Sequence, residues 1–521
     1  MHNVSHVLTA AALVAMAACV SSPGYQPPTV VVAPAFQALN DSESGALVLA
    51  GDSATPAMPE AGGSSGASVP VIADAIAPAP ASADSERATM AVRGSVSGDP
   101  PDTAFWIGLG DSTLVALVNE AVRASPDVHA AQSRLLAARS SRRLSALDLA
   151  PAITANASVA RQQLSATQFP GSAGALPRQD LWDAGFDASW ELDIFGRVSR
   201  TVRAGRALEE SAADAVHDAQ LSLAAEVART YFELRGAQSE LAVANRNAAN
   251  QRRTMQLTER RLSAGSGTAF DVERARAELN LTLAATPAIE SRIAASRYRI
   301  AVLLGRAPED LPPALLTAAD LPPLPDTVRV GSPADLVRRR PDVLSAERQL
   351  AAETMLVGAA RAEYLPRVSL AGSVGYTSPT FDALGNTGTP RYFVGPVVSW
   401  PFLDLGRVKV KSDIARAHAN EARARYTSAV LSAISESETA IVTYDRSRAR
   451  LGSLREAARA SSRALELAQL RYETGETDFL QVLDAQRTLL SAESELATGR
   501  TAAATALVAV YKAVGGSWPD R

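Results

Sequence analysis

The chain has 521 residues, a formal net charge of −4, 20% charged residues, 5% aromatics and five histidines. The slightly acidic balance excludes nucleic acid as an expected partner. With histidine scarce and no His, Cys or carboxylate cluster at ligand spacing, no metal or other cofactor is expected. Few aromatics and abundant alanine favour long, closely packed helices over a bulky globular core.

Residues 7–16 (VLTAAALVAM) form a short apolar run, followed by Ala17, Ala18 and the only cysteine, Cys19. The run is too short to span a membrane and reads as a secretory signal over residues 1–18. A cysteine at the cleavage point predicts lipidation: Cys19 carries a diacylglycerol and begins the mature chain. Met16 stands where leucine is usual in that pattern, and the first six residues hold no Lys or Arg. Val20 and Ser21 follow without an aspartate, which in bacterial lipoproteins implies sorting to the outer membrane. Residues 19–103 are rich in Pro, Ala, Ser and Gly and predict an extended tether, with residues 23–28 (PGYQPP) lying against the folded body.

From residue 104 the chain is a tandem duplication, predicted as repeats over 104–320 and 321–516 with a short tail over 517–521. Trp190, Gly196-Arg197-Val198, Arg261, Gly265 and Leu304-Gly305 recur as Trp400, Gly406-Arg407-Val408, Arg471, Gly475 and Val514-Gly515, each 210 positions on. Pro126-Asp127-Val128 and Pro151 recur as Pro341-Asp342-Val343 and Pro366, each 215 positions on. The slip between the two registers falls between Pro151 and Trp190 and marks a loop of tolerant length.

In chain order, helices are predicted over 112–124 and 126–148, and their copies over 333–340 and 341–363. Helical hairpins follow over 197–305 and 407–515. Their first arms, 197–264 and 407–474, contain no proline and, between them, only Gly205, Gly236 and Gly452. Apolar residues recur at helical spacing, as in Leu221, Ala225, Ala228 and Phe232. Each first arm is about 100 Å long if continuous. Gly265 and Gly475 suit the left-handed position that ends a helix, and Thr268-x-x-Asp271 and Asp478-x-x-Gln481 open the return arms as capping boxes. Pro287 inside the first return arm predicts a kink.

Four segments alternate with period two, at about 151–162, 181–193, 366–377 and 391–403. In the second, Trp182, Phe186 and Trp190 lie on one face and Asp183, Asp187 and Glu191 on the other. A soluble sheet with one wet face would also alternate. Acids opposite tryptophans, at these lengths, favour an outer-membrane strand with a watery lumen side. Pro396 is expected to break the ladder of the last strand. Four strands cannot close a barrel, so membrane insertion requires that several chains share one.

The duplicated strand-to-helix signature (Trp190…Phe195-Gly196-Arg197 and Trp400-Pro401-Phe402…Gly406-Arg407) and the turns RLSAGSGTAFDVERARAEL (261–279) and RYETGETDFLQVLDAQ (471–486) resemble those of TolC-like outer-membrane efflux proteins. With Cys19 and PGYQPP, the match is to the lipoprotein, NodT-like branch. The resemblance implies a mainly α chain with a membrane β-barrel. A homotrimer would form a twelve-stranded barrel on a long α-helical barrel. It implies a passive exit duct for small molecules or drugs, without catalysis, lipid-anchored in the outer membrane. A periplasmic adaptor and an inner-membrane RND-type transporter would dock at the hairpin turns. By the same resemblance, Asp484 forms an acidic ring at the periplasmic gate and Leu480 an apolar constriction. Tyr472 and Asp271 form a hydrogen-bonded pair between hairpins, and Gly265 and Gly475 mark the adaptor-contact turns. Gln481 and Thr477 depart from the family form, removing a second acid ring and an arginine latch.

Blander roles stand beside these: Asp484 as a first-turn acid favoured by the helix dipole, Asp271 as a cap, Leu480 as ordinary packing. Carboxylates of the long helices are almost all matched by nearby arginines, as on a solvated face. A type I protein-secretion duct would share the fold. A lipid-anchored periplasmic coiled-coil protein would explain the helices but not the strands. An enzyme lacks support, since neither GxSxG nor a P-loop is present.

Overall fold

A computed structural model describes residues 28, 33–39, 96–97, 99, 105–163 and 177–516. The predicted signal, Cys19, PGYQPP apart from Pro28, most of the tether and the tail lie outside the described residues. The main elements are α1 (Ser112–Ala124), α2 (Pro126–Leu147), β1 (Ala152–Gln162), β2 (Gln179–Leu192), α3 (Arg197–Ser263) and α4 (Ala269–Leu303). Their counterparts are α5 (Pro333–Arg339), α6 (Pro341–Ala362), β3 (Arg367–Ser378), β4 (Pro390–Ser399), α7 (Leu405–Glu473) and α8 (Phe479–Ala513). The long arms have 67 and 69 residues, and both return arms have 35. The helix of α4 runs on through Pro287.

Two compact units cut across the duplication, so each repeat supplies half of each unit. The first contains Ala130–Val216 and Pro341–Val430. Its sheet has the order β1-β2-β3-β4, antiparallel throughout. Register pairs place Asp183, Gly185 and Asp187 opposite Thr377, Gly375 and Ser373, and Trp182, Phe186 and Trp190 opposite Ser378, Val374 and Leu370. The sheet thus has a polar face and a face bearing exposed Ile153, Phe186, Val374, Tyr392 and Val398. Phe393 and Val397 are exceptions, sharing the polar face through their register with Ser373 and Ser369. Pro396 does not break the ladder as expected: it lies in register with Leu370. An edge strand tolerates proline because its missing N–H can point away from the ladder.

The duplication is visible in single hydrogen bonds. Trp190 Nε1 donates to Leu149 O at 2.9 Å, and Trp400 Nε1 donates to Tyr364 O at 3.0 Å. Each indole ties the helix-proximal end of its sheet to the chain entering the preceding strand. Asp193 accepts from Val198 N and Ser199 N at 2.9 and 2.7 Å, capping the start of α3. Around Ala204, Ala207, Ala351 and Ala352 the helices pack through small side chains. That is how a chain poor in aromatics builds a core.

The second unit contains Val31–His129, His217–Arg340 and Leu431–Arg521. Asp111 caps α1 with one carboxylate oxygen and accepts from Tyr231 Oη at 2.6 Å with the other. Burial, with Asp111 adding to it, pushes the Tyr231 hydroxyl up to about 12. Arg235 is buried and donates to Thr317 O, Ala314 O and Gln238 Oε1 at 2.7, 3.0 and 2.9 Å, and its guanidinium carbon lies 4.9 Å from the Tyr231 ring centroid. Two pieces of the N-terminal segment dock here. Phe36 is fully buried, and Glu438 accepts from Gln37 N and Ala38 N at 2.7 and 2.8 Å. Val96–Ser97 pairs in parallel with Val328–Arg329.

Phe36→Ala removes a fully buried aromatic, a change that costs about 3 kcal/mol in a core. The segment 33–39 is then expected to detach about a hundredfold more often. Limited proteolysis under native conditions reads this as faster cleavage there. Unchanged cleavage places the hold elsewhere.

Candidate functional site

The hairpin turns are built by one local device used twice. Gly265 and Gly475 have φ of 75° and 82°. Ser266 N donates back to Arg261 O at 2.9 Å, and Glu476 N to Arg471 O at 2.8 Å. This six-to-one bond absorbs carbonyls that the helix end leaves open. A Cβ at either glycine meets open space, so only the backbone angle demands glycine there. Both glycines are exposed.

Beneath the turns, Ala275, Leu465, Tyr472, Phe479, Val482, Leu483 and Leu489 form an apolar cluster. It fixes the rotation of α8. With Phe479, Val482 and Leu483 inward, Leu480 and Asp484 are exposed one turn apart on another face, beside exposed Gln481. Leu480 is 49% exposed, so it does not serve as packing within the described chain.

Tyr472 and Asp271 do not meet as the resemblance implied. Asp271 accepts from Thr268 Oγ1 at 2.7 Å, and its N–H donates to that same oxygen at 3.2 Å, completing the capping box. Tyr472 is buried, its ring 5.7 Å from that of Phe479. The Arg261 guanidinium lies 4.4 Å from the Tyr472 ring centroid and its Nη1 donates to Tyr472 O at 3.0 Å. The cross-hairpin link therefore uses the ring and carbonyl of Tyr472, and its partner is Arg261.

Further up, polar rungs join the hairpins. Gln486 Nε2 donates to Thr254 Oγ1 at 2.7 Å, and Asn247 Nδ2 donates to Glu493 Oε2 at 2.8 Å. Arg487 pairs with Glu278 at 2.6 Å. Glu278 is matched by an arginine as expected, but it is an exception to the solvated face, because only 6% of it is exposed. Its hydrogen bond and charge hold the Arg487 guanidinium above its ordinary value, with Asp484 contributing less. An arginine thus stands within electrostatic reach of Asp484. A groove of about 520 Å³ runs along these helices, lined by Glu240, Val243, Thr282, Ile289, Arg487 and Leu490 among others. Sequence reasoning named Arg261 only as a residue of the duplicated turn, without a partner, and gave Glu278 no role of its own.

Among the described residues, no group of His, Cys, Asp or Glu is arranged to hold a metal, and no helix is long and apolar enough to cross a membrane. The face of the sheet that exposes Ile153, Phe186, Val374, Tyr392 and Val398 is suited to lipid. The family profile described as "Outer membrane efflux protein" matches residues 117–306 and 333–516. The chain belongs to the outer membrane efflux protein family. It is 30% identical over 452 residues to outer membrane protein OprJ of Pseudomonas aeruginosa, covering 85% of this chain and 92% of that protein. It is 30% identical to the toluene efflux pump outer membrane protein TtgI of Pseudomonas putida, covering 78% of this chain and 86% of the other. Among solved structures, the outer-membrane channel OprN superposes with a TM-score of 0.77 at 38% identity, covering 82% of this chain and 95% of that one. The fold is that of the TolC-like channels and the location is the outer membrane. This is a family of efflux channels, not of enzymes.

The geometry at the tip separates two links. Arg261→Ala is expected to loosen the hairpin ends by about 1–2 kcal/mol, through loss of a charged hydrogen bond and a cation–π contact. Tyr472→Phe, which keeps ring and carbonyl, is expected to be silent. Amide hydrogen exchange over 255–280 and 465–490 measures both. A Tyr472→Phe change as large as that of Arg261→Ala would restore the hydroxyl link to Asp271.

Proposed function

We propose that three copies of this chain close one barrel and one helical tunnel, forming the passive outer-membrane exit duct of a tripartite pump. The observation that carries this is the four-stranded sheet with β1 and β4 as its edges and a continuous exposed apolar face. Backbone groups on those edges cost several kcal/mol each if left unpaired in lipid. The smallest outer-membrane barrels have about eight strands, so one chain cannot close its own. Three copies supply twelve strands, β4 of each pairing with β1 of the next.

The inner-membrane transporter, of the RND type, supplies the energy. A periplasmic adaptor contacts the exposed turns at Gly265 and Gly475 and the groove above them. The names of relatives, such as the toluene efflux pump protein TtgI, support small organic molecules as cargo. Asp484 from each chain forms a charged constriction around the threefold axis, with Leu480 one turn away. Arg261 serves as the cross-hairpin tie of Tyr472, the part that the resemblance gave to Asp271. Gln481 adds no charge, and nearby Arg487 offsets part of the acid field, so this gate holds multivalent cations less tightly than one with two acid rings.

Native mass spectrometry in detergent, followed by single-channel recording in planar bilayers, tests this reading. A trimer is expected, and Asp484→Ala should raise conductance and weaken block by trivalent cations added on the helical side. A stable inserted monomer contradicts the shared barrel. Conductance and block unchanged in Asp484→Ala put that residue on the outer wall.

Cys19 is the lipidated first residue of the mature protein in this reading. Mass spectrometry of the mature N-terminus is expected to show an acylated cysteine. Cys19→Ser should lose the acyl chains yet stay in the membrane fraction, since the shared barrel is the larger attachment. An unmodified N-terminus at another residue rejects the assignment.

A further inference from the structure

The polar face of the sheet carries a network that a watery lumen alone does not require. Arg391 stands on the edge strand β4, and its carboxylate partner Asp183 stands on β2, with β3 between them. Strand spacing makes that a reach of about 10 Å across the sheet. The guanidinium completes it: Nε donates to Asp183 Oδ2 at 2.8 Å and Nη2 to Asp183 Oδ1 at 2.5 Å. On the way Nε also donates to Thr377 Oγ1 at 3.1 Å, and Nη1 to Ser373 Oγ at 3.3 Å. Thr377 Oγ1 in turn donates to Asp183 at 2.7 Å. On the far side, Asn156 of β1 donates to Asp187 of β2. The band therefore takes in all four strands.

Two glycines clear its path. Arg391, Gly375, Gly185 and Asn156 form one register row. A Cβ on Gly185 would meet Val374 O at 2.5 Å and Gly375 Cα at 2.8 Å; one on Gly375 would meet Ala184 O at 2.5 Å and Gly185 Cα at 2.8 Å. Strands β2 and β3 approach so closely here that neither position admits a side chain. No side chain from this row then stands between Arg391 and Asp183.

Asp183, Thr377 and Arg391 lie toward one end of the sheet, and Asp187 lies in mid-strand, in register with Thr154 and Ser373. The connections 163–178 and 379–389 leave from this end, whereas the long helices begin after Leu192 and Ser399 at the other. Two carboxylates, Asp183 and Asp187, face one guanidinium, Arg391, which makes a net −1 per chain.

We propose that Asp183, Asp187 and Arg391 form a charge-selecting girdle on the polar face of the sheet, favouring cationic over anionic solutes, with Arg391 setting how strongly. The inference rests on the trimeric-channel reading, in which the polar face lines the lumen. Three copies arrange the residual acid charge as a ring, and fixed charges on a lumen wall tune ion selectivity. Arg391 offsets half of that acid charge, so its removal doubles the net charge of the ring from −1 to −2 per chain.

The test is the reversal potential of single channels under a potassium chloride gradient, in an Asp484→Ala background so that the gate acid does not act in series. Arg391→Gln is expected to raise the potassium-to-chloride permeability ratio about twofold or more, and Asp187→Asn to lower it by a similar factor. Arg391→Lys keeps the charge while losing the two-pronged geometry, and should stay near the background ratio. Spermine added on the loop side should block Arg391→Gln more strongly than the background channel. Native mass spectrometry of each variant separates the two levels of failure. Absence of a conducting trimer in the background channel overturns the channel reading, and the girdle with it. Conducting trimers whose ratios are unchanged in both Arg391→Gln and Asp187→Asn overturn the girdle alone. If Arg391→Gln does not assemble, Asp187→Asn, which removes no cross-strand arginine, decides the question.

Discussion

Backbone hydrogen bonding at two strand edges is the constraint on which the rest depends. β1 and β4 end the sheet, and their outer edges pair with no other strand among the described residues. Water would satisfy them, but lipid does not. The same sheet has one face with Tyr392 at 85% exposure and Ile153 at 70%, which water does not favour either. Both costs vanish together when edges meet edges and the apolar face meets lipid. A chain with this sheet has its surroundings and its partners selected by one requirement.

Each repeat contributes a strand pair and the start of its long arm to one compact unit, and the rest of its helical hairpin to the other. The sheet core is therefore built from both repeats, through the β2–β3 pairing. Long arms of 67 and 69 residues and equal return arms of 35 keep the two hairpins in step, and Gly265 and Gly475 stand at matching positions of the repeat. At the tips the two copies share a turn but make unlike contacts. Arg261 crosses to Tyr472, and Glu278 binds Arg487, so each link joins unlike residues of the two hairpins. Such asymmetric contacts let two similar hairpins hold different places in one tip.

Alanine-rich packing lets long helices approach closely. Around Ala204, Ala207, Ala351 and Ala352 the helices meet through small side chains. The hairpins of the second unit add rungs such as Gln486–Thr254 and Asn247–Glu493. Polar rungs of this kind are individually modest, about 1 kcal/mol each. They hold register without locking the helices as a bulky interdigitated core would.

Much of this was readable from the chain alone because it is local or periodic. Helix bounds follow from the absence of proline and the caps at Thr268 and Asp478. Turn geometry follows from glycines that must take positive φ, and strand faces follow from alternation. Equal spacing of 210 and 215 residues made each copy a check on the other. Contacts between distant residues were not readable. Spacing does not say that Arg391 reaches Asp183, 208 positions earlier, or that Phe36 docks beside Glu438. Nor does it say that Glu278 is the buried carboxylate while its neighbours on α4 stay solvated. Pro396 shows the same limit: its effect depends on whether the strand lies at an edge, which is a property of the sheet. The sequence by itself determined the elements, their faces and their duplication, because these arise from backbone dihedrals and side-chain period. Only the tertiary structure decided which charges pair and which are buried, because pairing energy depends on distance and desolvation once the chain has closed on itself.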